Sequence, residues 1–120
     1  MAITSVNLDT SQRVDITCRK GDTFNLEITF KDPAGTALDL TGYTWKLDVR
    51  ETDTSVSAII EDDAFSYSGT NDGVLTILAS ASTMAAVEGG LYVYDLQSSN
   101  TGNVKTWMYG IFKVNEDVTL

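Results

Sequence analysis

A chain of 120 residues suits one domain with one continuous core. Hydrophobic residues make up 42% and charged residues 21%, ordinary values for a globular protein, so the sequence does not read as disordered. Seventeen Asp and Glu against eight Lys and Arg give a net charge of −9, which excludes the basic footprint that a nucleic-acid backbone or an anionic membrane requires.

The sequence contains no histidine. That removes the commonest general base and metal ligand, and with it Ser-His-Asp and Cys-His catalysis. One cysteine, Cys18, permits no intrachain disulfide and fits assembly in a reducing cytoplasm. No run approaches the roughly eighteen apolar residues of a membrane span.

Residues 1–12 read as an N-terminal arm and 13–120 as the folded domain. Met1 to Thr10 lacks the basic and then apolar pattern of a secretion signal. Ile3, Val6 and Leu8 are its candidate anchors on a partner. In Val14-Asp15-Ile16-Thr17-Cys18 the apolar residues alternate, and Cys18 reads as a small buried hydrophobe. Phe24, Leu26, Ile28 and Phe30 then alternate with Asn25, Glu27, Thr29 and Lys31, the period of a half-buried strand. Asp32-Pro33-Ala34-Gly35 is a turn.

Tyr43 to Arg50 is the next strand, with Tyr43, Trp45, Leu47 and Val49 on one face. Glu51 to Ser57 reads as a loop, with short strands at Ala58 to Glu61 and Phe65 to Ser68. A calcium loop from Glu61, Asp62, Asp63 and Asp72 is weighed against a solvated acidic loop, and the spacing favours the latter. Gly69 to Gly73 is a turn and Val74 to Ala79 an apolar strand. Ser80 to Val87 predicts a short helix, capped by Ser80 or Ser82 and stopped by Gly89-Gly90. Leu91 to Ser98 and Val104 to Val114 form a final hairpin around residues 99–103. If Met108, Phe112 and Val114 face the core, then Trp107, Tyr109 and Ile111 form an exposed contact row. Alternatively, both faces of this strand are covered within the domain.

Seven or eight short strands with regular turns predict an antiparallel, immunoglobulin-like β-sandwich with one short helix near 80–88. Neither paired catalytic carboxylates in a deep cleft nor a phosphate loop is legible, so no enzymatic activity and no cofactor or metal are expected.

Three stretches carry a resemblance. They are Arg19-Lys20-Gly21-Asp22-Thr23-Phe24, then Lys31-Asp32 through Gly35 to Leu38-Asp39-Leu40-Thr41-Gly42-Tyr43, and then Gly90-Leu91-Tyr92-Val93-Tyr94-Asp95-Leu96. In this order they resemble the N-terminal β-sandwich domain of phage baseplate upper proteins and related small tailed-phage structural proteins. The likeness runs from about residue 13 to Thr119. Family members continue into a long receptor-binding part, so the resemblance implies the module's fold and a virion context but not receptor binding. It implies a non-enzymatic tail or baseplate protein, assembled in the host cytoplasm onto other virion proteins, as a homo-oligomer or in a symmetric assembly. Capsid decoration is the alternative within that class. A carbohydrate-binding module is the alternative outside it, with Trp107 and Tyr109 as the stacking candidates.

Overall fold

The computed structural model describes residues 11–52, 54, 55 and 57–116. Among the described residues, eight strands form two sheets. The larger sheet holds β1 (Gln12–Arg13), β2 (Ile16–Arg19), β4 (Thr44–Arg50), β7 (Gly90–Asn100) and β8 (Asn103–Asn115). The smaller holds β3 (Phe24–Thr29), β5 (Ser66–Gly69) and β6 (Val74–Ala79). Strand order is β1-β8-β7-β4, with β2 also on β8, against β3-β6-β5. The first two strands run parallel to β8, and the remaining pairs are antiparallel. This order defines an immunoglobulin-type β-sandwich.

Alternation explains why these sheets stack. Trp45, Leu47 and Val49 on β4, Tyr94 and Leu96 on β7, and Met108, Phe112 and Val114 on β8 are all buried. They meet Phe24, Leu75, Ile77 and Ala79 from the smaller sheet. Rings hold the middle. Phe30 stacks on Trp45 at 5.4 Å, and Phe24 lies 5.6 Å from Phe112. Such ring pairs add to stability beyond the area they bury. Near the start of β7 the Tyr92 hydroxyl donates to the Glu88 carbonyl at 2.6 Å. This is the tyrosine corner of immunoglobulin-type sandwiches. Two residues on, where antibody domains carry a disulfide cysteine, stands the buried ring of Tyr94.

The local punctuation follows from the residues. Ser80 accepts the Thr83 amide and caps α1 (Ala81–Ala85). Asp32 accepts the amides of Ala34 and Thr36, and Asp39 those of the Thr41 amide and hydroxyl, so both aspartates build turns. The β7–β8 loop is tighter than its sequence suggests. Asn100 still pairs with Asn103, leaving Thr101 (φ 50°) and Gly102 (φ 85°) as a two-residue turn. Positive φ at both central positions matches the twist of the flanking strands.

One expectation is revised. The segment 58–61 is not a strand: one bridge joins Ile60 to Val49, and Asp62–Ala64 form a 3-10 turn before β5. Among the described residues, strand pairing begins at Gln12, opposite Met108. Ile3, Val6 and Leu8 lie outside the described residues.

Candidate functional site

The outward face of the larger sheet carries its side chains in rungs. Register places Asp48 opposite Asp95, Asp95 opposite Tyr109, and Tyr109 opposite Arg13. The next rung is Arg50, Val93 and Ile111. Together they line a shallow groove of about 620 Å³ whose far wall includes Glu51 and Thr52.

Two devices shape this groove. Gly110 sits at φ 157°, and a β-carbon there would lie 2.6 Å from the Val14 carbonyl oxygen. Glycine therefore lets residues 13–15 press onto β8. The Asp15 carboxylate then accepts the Ile111 amide at 3.0 Å and pairs with Arg13 at 3.3 Å. The Ile111 hydrogen bond is the main cause that holds the Asp15 carboxyl below its ordinary range. The buried Tyr94 hydroxyl donates to the Val14 carbonyl from the other side of the sheet. Burial, then the Asp15 charge, pushes that phenol up to about 12.

Charge in the groove is mixed and crowded. Asp48 and Asp95 stand directly across from one another, an unfavourable like-charge pairing. Burial raises the Asp95 carboxyl, Asp48 raises it further, and Arg50 offsets part of the rise. Arg50 reaches Asp48 at 3.9 Å and the Ser55 carbonyl at 3.0 Å. Three acids, two guanidinium groups and a 43% exposed Tyr109 make a face suited to pairing with polar or charged groups of another molecule. Among the described residues no three acidic or cysteine side chains converge to hold a metal.

Trp107 is not on this face. Leu96 pairs with Met108 but Gln97 with Thr106, so Trp107 is one residue too many for its partner strand. This β-bulge breaks the alternation and turns Trp107 inward beside Met108. Its ring lies 5.0 Å from Phe30, its indole N–H donates to Ser98 Oγ at 2.8 Å, and Lys105 Nζ caps it at 4.1 Å. Of the two alternatives for this strand, the exposed row of Trp107, Tyr109 and Ile111 is therefore not formed. Tyr109 keeps its outward place without an aromatic neighbour on its rung, so these two residues make no sugar-stacking pair.

Cys18 is half-buried, and burial followed by the Asp22 charge pushes its thiol up to about 11. A thiol that stays protonated is a poor nucleophile. Glu61 precedes the 3-10 turn, which begins with Asp62 and Asp63, while Asp72 belongs to the β5–β6 turn.

No family model matches this chain, and no curated protein matches it either. Among solved structures, one from a photo-crosslinking study of multimeric cell-adhesive interactions of VGSC beta subunits is 17% identical, with a TM-score of 0.44, covering 96% of this chain and 100% of that one. A family 123 glycoside hydrolase from Clostridium perfringens is 15% identical, with a TM-score of 0.41, covering 96% of this chain and 24% of that one. Both likenesses are too distant to bear on function, and the fold assignment stands on strand order and register.

Proposed function

We propose that the chain is a non-enzymatic structural protein of a tailed-phage particle, associated with the tail or baseplate and working through protein–protein contacts. The observation that carries this is the ordered set of three motif stretches, Arg19–Phe24, Lys31–Tyr43 and Gly90–Leu96. In the fold these stretches make the β2–β3 turn, the two aspartate-built turns before β4, and the half of β7 that holds the tyrosine corner. They specify a scaffold, so what they support is a shared module and not a shared chemistry. The mixed-charge groove on the larger sheet supports a contact role, because its polar groups are arranged in register across four strands. The acidic surface suits an outward position in the particle, away from packaged nucleic acid. The partners are other virion proteins or further copies of the chain, met during assembly in the host cytoplasm.

Quantitative mass spectrometry of gradient-purified particles tests the proposal. The chain is expected in the particle at a fixed ratio to known tail proteins, and that ratio should survive a high-salt wash. A chain left in the soluble lysate and missing from the particle would overturn the proposal.

A further inference from the structure

The two flanks of the sandwich are finished differently. On the β4 side the edge is closed. The Leu47 amide donates to the Tyr67 hydroxyl at 2.8 Å, that hydroxyl donates to the Asp62 carbonyl, and the Val49 carbonyl accepts the Ile59 amide at 2.6 Å. On the β3 side the edge is open. β3 pairs with β6 over Phe24–Thr29, and among the described residues no strand lies on its other side, since β1 and β2 pair with β8 in the opposite sheet.

The side chains register this opening. Phe24 and Phe30, at the two ends of the inward row, are 5% and 8% exposed. Leu26 and Ile28 point inward between them yet remain only half-buried, and so does Trp107 across the gap. Val14 on the facing side is 40% exposed. These residues line a groove of about 750 Å³ between β3 and the β1–β2 segment. A groove with apolar side chains along one wall, beside an unpaired strand edge, accepts an added strand. Main-chain hydrogen bonds supply affinity, and alternate side chains fill the groove.

We propose that this groove takes residues 2–9 of a second copy of the chain, added as a strand along β3. Two observations favour that occupant. Gln12, Val14, Phe30 and Lys31 all line the groove, so the described chain begins at the Phe30 end of β3. Ten residues stand before that point in the sequence, and ten residues in extended form span roughly 33 Å, enough to reach a neighbouring molecule. Their sequence fits the slot. Val6 and Leu8 alternate with Asn7 and Asp9, which places two apolar side chains on one face of an added strand, opposite Leu26 and Ile28. The inference deepens the assembly reading by naming a mode of contact and a partner. It is tested on the isolated chain, so its failure is distinct from absence of the chain from particles.

Sedimentation velocity with far-UV circular dichroism tests it. The full chain is expected to associate beyond its 13.0 kDa monomer mass. The double variant Val6→Asp/Leu8→Asp should become monomeric with an unchanged spectrum and melting midpoint. A groove variant, Ile28→Lys, should also be monomeric, and mixing the two variants should restore association by pairing an intact arm with an intact groove. A synthetic peptide of residues 1–10 should bind the arm variant and not Ile28→Lys. A wild-type chain that stays monomeric would overturn the proposal. So would an arm variant whose melting midpoint falls with no change in mass, because the arm would then serve its own domain. If Ile28→Lys fails to fold, the arm variant and the peptide decide the matter.

Discussion

Asp95 faces Asp48 across the β4–β7 pairing and sits half-buried in the groove, so its charged form is disfavoured in the folded chain. A carboxyl whose folded value is raised destabilises the fold at neutral pH. That penalty is relieved as pH falls through the raised value towards the ordinary carboxylate range. Asp95→Asn is therefore expected to stabilise the protein at pH 7. Like-charge pairing of this kind is worth roughly 0.2–1 kcal/mol, which corresponds to a rise of about 1–4 °C in melting midpoint. The gain should vanish near pH 3, where the wild-type carboxyl is neutral in both states. Thermal melts of both proteins at the two pH values check this. Asp15 is shifted the other way, chiefly by the Ile111 amide, although both acids lie beside the same strand. Sequence reasoning singled out neither residue. Their roles come from the register of β4, β7 and β8 and from the close approach at Gly110, and neither is encoded in the immediate neighbours of an aspartate.

The elements divide into those specified locally and those specified by their partners. The strand expected at Val74 to Ala79 has the bounds of β6, and the expected Ser80 cap holds α1. Each depends on alternation or on a hydrogen bond spanning three residues, so each is legible in a short window. The bulge at Trp107 is defined against β7: it is an extra residue only when Leu96 and Gln97 are set opposite. One strand read alone shows continuous alternation, which offers Trp107 the same face as Tyr109. The closed flank is likewise a matter between elements. Tyr67 comes from β5, in the smaller sheet, to satisfy the Leu47 amide of β4, and burial pushes its phenol up to about 12. Tyr67→Phe leaves that amide and the Asp62 carbonyl without this partner. The loss is expected to cost about 1–3 kcal/mol. Urea unfolding should show a lower midpoint with the same slope, and an unchanged midpoint would mean that the hydroxyl is dispensable to the edge.

At the scale of the molecule, alternation and the spacing of turns are enough to reach a β-sandwich, though not the parallel pairing of β1 and β2 with β8. The allocation of strands to sheets required pairing over long separations, with β1 and β2 meeting β8 nearly the whole chain away. That allocation produces both candidate contact surfaces. It sets the groove of Asp48, Asp95, Tyr109 and Arg13 across one sheet, and among the described residues it leaves the β3 edge of the other sheet open. Both surfaces suit contact with protein, and the motif stretches that support a virion setting build the scaffold that presents them. Cryo-electron microscopy of intact particles tests this account most directly. It predicts density for the sandwich at the tail or baseplate, with neighbouring protein against the outward face of the larger sheet and an added strand along β3. Density at lattice positions on the head would contradict the tail assignment and make the chain a decoration protein. Particles without the sandwich would contradict the structural role altogether.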